Sequence, residues 1–184
     1  MAVAQAEPKL MTGEELLELG DVGPAELIEG VLTPMSPTQG LHGWIVMELA
    51  RRLGNFNAEQ RVGWVLGAES GFITRRSPDT IRGMDVAFIS RKRLPALTSG
   101  FLDVAPELII EVVSPTDRWA DIRTKIAEYF QAGVEQVWIV EPDAQKLLIY
   151  RTATEFTELR DDDIVQGDGA LSGFQMSLAE LFAQ

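Results

Sequence analysis

Cysteine is absent from this sequence of 184 residues, and histidine occurs once. The lack of cysteine excludes disulfide bonds, thiolate metal ligands and a cysteine nucleophile. Because His42 is the single histidine, a metal site with several histidine ligands is excluded as well. The phosphate-binding patterns GxxxxGK[ST] and GxGxxG and the serine-hydrolase pattern GxSxG do not occur. The catalytic chemistry that remains is mainly that of carboxylates and lysine.

Positive charge is scarce, since 16 lysines and arginines stand against 28 acidic residues and the formal net charge is −12. Such a surface keeps a protein soluble and repels polyanions unless a local basic face offsets its charge. Basic residues gather in the middle of the chain, where they could form a strip that faces DNA: Arg51, Arg52, Arg61, Arg75, Arg76, Arg82 and residues 91–93.

Apolar segments are short, and none approaches the roughly 18 uninterrupted residues of a membrane span. The N-terminus lacks the basic segment and apolar run of a secretion signal. We therefore expect a soluble, cytoplasmic protein without membrane contact. At about 150 residues per domain, we expect a flexible tail over residues 1–11 and one domain over residues 12–184.

Apolar periodicity and capping patterns predict four helices. They begin after Thr12, at about Leu41, after Thr116 or Asp117, and after Ser177, and the second and third end near Gly54 and Ala132. Strands are predicted for residues 26–35 (one strand or a tight hairpin), 62–74, 84–90 and 106–114, and a hairpin for residues 135–142 and 146–151. Elements in this order predict an α/β (α+β) fold with a central mixed sheet.

Two carboxylates lie within strongly apolar strands. Asp85 belongs to MDVAFIS, and Glu111 is the single charge within the apolar run LIIEVV. A carboxylate buried in a strand costs several kcal/mol unless a cation or hydrogen-bond donors satisfy it. If the two strands pair, the carboxylates come together and favour a divalent cation, and oxygen ligands suit Mg²⁺ or Mn²⁺. The alternative for either residue is a structural carboxylate that pairs with a neighbouring group.

The helix after Glu111 supplies a cation. Its apolar stripe contains Ile122, Ile126 and Tyr129, and Lys125 lies at the border of that stripe. A lysine at this border can lay its stem on the core and present its ammonium group to a buried site. The alternative is an exposed ion pair with Asp121, one helical turn earlier.

Three segments resemble a known family: AELIEGVLTPMSPTQGLHGWIV, RGMDVAFIS and APELIIEVVSPTDRWADIRTKIAEYFQAGVEQVWIVEP. Together they look like the Uma-type family of bacterial endonucleases, within the PD-(D/E)xK restriction-endonuclease-like superfamily. The resemblance covers about residues 12–183, and the block EVVSPTD…K…Y…GV…VWIVEP is its most specific part.

The resemblance implies a mixed sheet flanked by helices and Mg²⁺-dependent (or Mn²⁺-dependent) hydrolysis of phosphodiester bonds. It makes Asp85 and Glu111 metal ligands, together with a backbone carbonyl at Val112. The superfamily pattern expects lysine where this chain has Val113, whereas the Uma-type pattern places that lysine in the next helix, at Lys125.

Three further positions of the resemblance differ in how far they can be interpreted. Glu26 matches the glutamate of the family's ELI(D/E)G segment and could complete the acidic cluster, but Glu29 is an alternative. His42 matches a histidine at the start of the family's helix, and we interpret it as a helix-start or structural residue. Met84 stands where proline is usual before the motif aspartate.

Taken together, the sequence predicts a Mg²⁺-dependent (or Mn²⁺-dependent) endonuclease whose catalytic residues are Asp85, Glu111, Lys125 and Glu26. We expect nucleic acid as its partner, with DNA favoured over RNA, and a homodimer as its assembly. The alternative is a catalytically degenerate nuclease fold that acts in protein interaction or homodimerisation. A hydrolase of small phosphoesters is a weaker third interpretation, because no nucleotide pocket is indicated.

Overall fold

The computed structural model of the chain describes residues 10–183, so most of the predicted tail lies outside the described residues. Four α-helices occur among them: α1 (Gly13–Leu19), α2 (Gly40–Gln60), α3 (Trp119–Gln131) and α4 (Leu178–Phe182). The strands are β1 (Ala25–Ile28), β2 (Val31–Pro34), β3 (Gly63–Arg75), β4 (Thr80–Ser90), β5 (Leu108–Val112), β6 (Gln136–Glu141), β7 (Lys146–Tyr150), β8 (Phe156–Arg160), β9 (Ile164–Gln166) and β10 (Gln175–Ser177). No helix in this part of the chain is both long and apolar enough to span a membrane.

Eight strands form one mixed sheet in the order β2-β1-β4-β5-β6-β7-β8, with β3 paired to β4. Strands β5 and β6 are parallel, and the other neighbours are antiparallel. Apolar residues of α2 and α4 pack on one face, against Val86, Phe88 and Trp138. The stripe of α3 packs on the other face, against Ala87 and Ile109. The predicted mixed sheet flanked by helices is confirmed.

The edge of β4 that faces β5 is shared by two strands. Near its start β4 pairs with β1 at Leu27–Ile81, and farther along it pairs with β5 from Val86–Ile110 onward. Between these pairings, residues 82–85 have no strand partner on this edge. Strand β3, on the opposite edge, has a bulge between Gly67 and Ser70 at the same level. The sheet is therefore split along one side of β4, and this gap positions the candidate site.

Short-range patterns predicted several element ends correctly. The capping box of Thr12 and Glu15 is present, and Ser177 caps α4. The segment at residues 26–35 is a hairpin whose two turn residues, Glu29 and Gly30, have positive φ angles of 51° and 77°. Positive φ at both positions is the geometry of a type I′ turn, which matches the twist of paired strands.

Other predictions of element ends were wrong. Helix α2 continues through Gly54 to Gln60, because residues beyond the glycine, among them Phe56, still pack on the core. Helix α3 begins after Arg118, because the Asp117 carboxylate accepts a hydrogen bond of 2.7 Å from Ser114 N instead of capping the helix. Met84 packs on the α3 side of the sheet, opposite the bulge in β3, whereas Val86 and Phe88 of the same strand pack on the other side. The sequence patterns do not predict the strands β8 to β10.

Two glycines near the end of α2 should respond oppositely to substitution by alanine. Gly54 lies within the helix with open space where a Cβ would project, so Gly54→Ala should raise the free energy of unfolding by about 0.5–1 kcal/mol. At Gly63 a Cβ would lie 2.6 Å from the carbonyl oxygen of Ile89, so Gly63→Ala should lower it by about 1–3 kcal/mol. Urea denaturation of both variants measures the two signs, and equal effects would contradict the described packing.

Candidate functional site

A cleft of about 540 Å³ opens at the gap beside β4. It is lined by residues from both sides of the gap and from the starts of α2 and α3, including the predicted site residues Glu26, Asp85, Glu111, Val112 and Lys125. The structure therefore places all five around one cavity, although they come from β1, β4, β5 and α3. A smaller cavity of about 170 Å³ adjoins it and shares Glu111, Val112 and Lys125.

Asp85 lies where β4 and β5 diverge. Its Oδ2 accepts a hydrogen bond of 2.8 Å from the backbone N–H of Val112, next to the last paired residues of the two strands. The carboxylate thus replaces a partner that the sheet ladder no longer provides. Its second oxygen, Oδ1, accepts no hydrogen bond from the described residues and is available to a ligand in the cleft.

Glu111 has a partner at each of its carboxylate oxygens. Its Oε1 accepts a hydrogen bond of 2.6 Å from the Tyr129 hydroxyl, and its Oε2 lies 3.4 Å from Lys125 Nζ. Burial raises the pKa of Glu111 to about 7, with Lys125 opposing this shift and the nearby charge of Asp85 adding to it. Burial and the charge of Glu111 also raise the pKa of Tyr129, which keeps its proton as the donor. The site therefore holds a carboxylate that is poorly compensated when ionised.

Lys125 connects the two sides of the gap. Its Nζ lies 3.0 Å from Glu26 Oε1 on β1 and 3.4 Å from Glu111 Oε2 on β5. Burial acts to lower the pKa of Lys125, but the charges of Glu111 and Glu26 outweigh it, so the pKa rises and the amine stays an ammonium ion. The ammonium group of Lys125 thus points into the cleft, as the site hypothesis expects. The alternative ion pair with Asp121 does not form.

Of the two glutamates left open by the sequence, the structure places Glu26 in the cleft. Glu26 is buried, accepts a hydrogen bond of 3.2 Å from Gly83 N in the unpaired segment of β4, and pairs with Arg82 at 2.8 Å. Arg82 in turn pairs with Glu128 on α3 at 2.7 Å. Glu29 lies in the exposed hairpin turn and pairs with Arg75. The type I′ turn explains the choice, because it directs Glu29 away from the sheet.

Two neighbours of the cleft were not predicted as site residues, although the sequence placed one of them, His42, at the start of a helix. His42, at the start of α2, is buried with Nε2 3.3 Å from Asp85 Oδ2, and this hydrogen bond raises the pKa of His42 although burial opposes it. Glu69 belongs to the bulge of β3, where Ala68 and Glu69 both have positive φ, and its carboxylate lies against Gly83. The occurrence of a single histidine was a signal that could have pointed to the contact between His42 and Asp85. No local sequence pattern predicts the bulge in β3.

The oxygen ligands available in the cleft determine which metal ion could bind there. Among the described residues, no three His, Asp or Glu side chains are close enough together to hold an ion. Two carboxylates and a backbone carbonyl nevertheless suit Mg²⁺, which keeps several waters and uses one or two carboxylates together with substrate phosphates. Asp85 Oδ1 is available, and a cation would neutralise the charge of Glu111 that burial disfavours. The residues therefore fit Mg²⁺ better than an ion that requires a cage of protein ligands.

Comparisons with known proteins agree with this description. A family model described as "Uma2: Putative restriction endonuclease" matches residues 14–179. Among solved structures, the chain is similar to "a putative nuclease belonging to DUF820 from Anabaena variabilis ATCC 29413", with a TM-score of 0.79 and 25% sequence identity. That similarity covers 94% of this chain and 97% of the other. A search of curated proteins found no match. The family and the fold predicted from the sequence are confirmed.

The raised pKa of Glu111 predicts a pH-dependent stability difference. Between about pH 4.5 and 7 the folded state keeps the Glu111 proton that the unfolded state has lost, so this group lowers stability as the pH rises. Glu111→Gln lacks this effect. The free energy of unfolding of Glu111→Gln, relative to the unsubstituted protein, should therefore rise between pH 5 and pH 8, by up to about 3 kcal/mol.

Urea denaturation in the presence of EDTA measures this difference without a contribution from metal binding. The matched control is Glu59→Gln, which removes an exposed carboxylate near the end of α2. It should change the unfolding free energy by less than about 0.5 kcal/mol at either pH. If the relative stability of Glu111→Gln stayed constant or fell between the two pH values, the described environment of Glu111 would be wrong.

Proposed function

Because the chain belongs to the Uma2 family, we propose that it is a divalent-metal-dependent endonuclease that hydrolyses phosphodiester bonds of DNA. The family and the similar solved structure both indicate a nuclease. The proposal adds Mg²⁺ (or Mn²⁺) as the cofactor, DNA as the substrate, and roles for the residues of the cleft. The observation that carries it is the convergence of Asp85, Glu111 and Lys125 at the gap beside β4.

Asp85 and Glu111, with the backbone carbonyl of Val112, are the proposed metal ligands. When bound there, Mg²⁺ supplies a lowered pKa for a coordinated water and neutralises charge that develops on the phosphate. Tyr129 holds Glu111 in place through its hydroxyl, and Val112 N–H and His42 hold Asp85. These contacts fix both carboxylates before a substrate arrives, which is the condition for strong electrostatic catalysis.

Lys125 is the proposed catalytic cation. Its ammonium group lines the cleft and is held by Glu26 and Glu111, so it can donate a hydrogen bond to the attacking water or to a phosphate oxygen. Glu26 positions this lysine and is itself held by Arg82 and Gly83 N. A lysine on α3 can thus serve where Val113 occupies the usual lysine position of the superfamily.

A catalytically degenerate module remains the second candidate function. It is favoured by one observation: both oxygens of Glu111 already have partners, Tyr129 and Lys125. If this arrangement persisted in solution, Glu111 would serve as a structural carboxylate, and the fold would act by protein interaction or homodimerisation.

The nuclease proposal predicts that the protein cleaves plasmid or single-stranded DNA with Mg²⁺ or Mn²⁺. It also predicts that Lys125→Gln reduces the rate by about two powers of ten or more. The reduction follows from losing a cation placed at the developing charge. Lys146→Gln is the matched control, because Lys146 also sits between two glutamates, Glu141 and Glu158, but outside the cleft. Gel assays of plasmid relaxation measure the rates.

Circular dichroism of Lys125→Gln establishes that the variant is folded before its rate is compared. Equal rates for Lys125→Gln and the unsubstituted protein would count against the proposed role of Lys125. Absence of metal-dependent cleavage in the unsubstituted protein, with DNA and with RNA, would favour the degenerate module.

Metal binding can be tested separately from cleavage. Mn²⁺ should raise the melting temperature of the unsubstituted protein, because an ion that binds the folded state stabilises it by mass action. A concentration of 100 times the dissociation constant corresponds to about 2.7 kcal/mol. Asp85→Asn should abolish the rise, whereas Asp121→Asn, on the rim of the same cleft, should preserve it. A rise that survives Asp85→Asn would contradict this assignment of the ligand.

A further inference from the structure

Most of the protein's cations are neutralised by carboxylates. Ion pairs engage ten of the described lysines and arginines: Arg51, Arg52, Arg75, Arg76, Arg82, Arg93, Lys125, Lys146, Arg151 and Arg160. The basic strip suggested by the sequence is therefore largely paired. Within the described residues, the cations without an ion pair are Arg61, Arg91, Lys92, Arg118 and Arg123.

Three of these five cations, Arg61, Arg91 and Lys92, line one cleft of about 730 Å³. The cleft lies between the end of α2, the end of β4 and the segment at residues 169–172, and all three cations are exposed. Arg93 also lines it, together with Glu107 and Glu135. The cleft therefore carries four cations and two carboxylates, a local excess of positive charge on a chain whose formal net charge is −12.

The turn at residues 91–93, which carries three of the four cations, is held in place by hydrogen bonds. Glu107 accepts hydrogen bonds from Ser90 N at 2.8 Å and Ser90 Oγ at 2.5 Å, and it pairs with Arg93 at 3.2 Å. Arg93 also pairs with Glu135 on the far side of the turn. The two carboxylates of the cleft are thus occupied by Arg93 and Ser90, so Arg91 and Lys92 are left for a ligand.

Trp64 forms a fixed wall beside Arg91. The Arg91 guanidinium carbon lies 3.8 Å from the centre of the Trp64 ring, and the indole N–H donates to the Leu94 carbonyl at 2.9 Å. Arg91 N also donates to the Val62 carbonyl at 2.9 Å, which ties the turn to the residue directly before β3. A stacked guanidinium keeps its N–H donors in a set plane, and this plane suits bidentate contacts with phosphate oxygens.

The cleft of Arg61, Arg91 and Lys92 is remote from the cleft at the gap beside β4, which is called the active cleft below. Helix α2 runs between them, with His42 at one cleft and Gln60 at the other. These residues lie 18 positions apart on one helix, or about 27 Å at 1.5 Å per residue. This distance is close to eight base-pair steps of duplex DNA at about 3.4 Å each.

We propose that the cleft of Arg61, Arg91 and Lys92 binds the sugar–phosphate backbone of nucleic acid at a distance from the scissile bond. The inference rests on the proposed nuclease function for the identity of the polyanion. The cleft gives a strongly acidic protein a place where phosphates are attracted, while the active cleft itself is rich in carboxylates. Nucleic acid held there stays near the active cleft without contributing to the chemical step.

The test measures binding apart from cleavage. Fluorescein-labelled DNA and RNA duplexes of about 30 base pairs, which exceed the 27 Å separation, are titrated with protein in EDTA at several salt concentrations. The double variant Arg91→Ala/Lys92→Ala should bind about tenfold more weakly at low salt. The slope of log K against log salt concentration should fall in magnitude by about two, because two phosphate contacts are lost.

The matched control is Arg151→Ala/Arg160→Ala, which removes the same charge from exposed positions outside the cleft and should leave the slope unchanged. The proposal is overturned if the unsubstituted protein binds neither duplex, if both double variants behave alike, or if the cleft variant alters only self-association in sedimentation. Binding through this cleft without metal-dependent cleavage would contradict the proposed function but support this site. If the protein cleaves DNA but the cleft variant binds as tightly as the unsubstituted protein, the proposed function is supported and this binding site is contradicted.

Discussion

The unpaired edge of β4 is the constraint on which the site depends. Between Ile81 and Val86 this strand lacks a neighbour on one side, so backbone groups that a continuous sheet would satisfy need other partners. Glu26 accepts the N–H of Gly83, and Asp85 accepts the N–H of Val112. Two carboxylates are thereby drawn into a largely apolar sheet by ordinary hydrogen-bonding requirements. The same gap opens the cleft, so the acids that complete the sheet also line the cavity.

Concentrating acids in the gap has an electrostatic cost that cations of the site offset. Breaking a buried ion pair by removing one partner typically costs about 3–5 kcal/mol, because the other charge is left uncompensated. Arg82 bridges Glu26 and Glu128, and Lys125 bridges Glu26 and Glu111, so β1, β4, β5 and α3 are joined by one network. Two cations serve three carboxylates here, and Asp85 adds a fourth. The network is short of positive charge, and an added cation would complete it.

The features predicted from the sequence are those that leave a local mark. A lone acid in an apolar run is costly, so Asp85 and Glu111 were visible without a structure, and Lys125 was visible from its place at the border of a helical stripe. The choice between Glu26 and Glu29 depended on a turn of two residues whose left-handed geometry alternation does not encode. The contact of His42 with Asp85 depends on where α2 begins relative to β4, which is set by packing between distant segments. Helix α2 passes Gly54 for the same reason, since tertiary packing outweighs the intrinsic cost of about 1 kcal/mol.

The position of the lysine also follows from the gap. A lysine at position 113, as in the superfamily pattern, would come from the residue directly after β5, on the same side of the gap as Glu111. Lys125 instead approaches from α3 and contacts Glu26 on β1 as well as Glu111 on β5, so it spans the opening. This arrangement gives one ammonium group two tasks, because it holds the two halves of the split sheet together and places a positive charge in the cleft. The stability of the sheet and the electrostatics of the site consequently depend on the same side chain, and loss of one should accompany loss of the other.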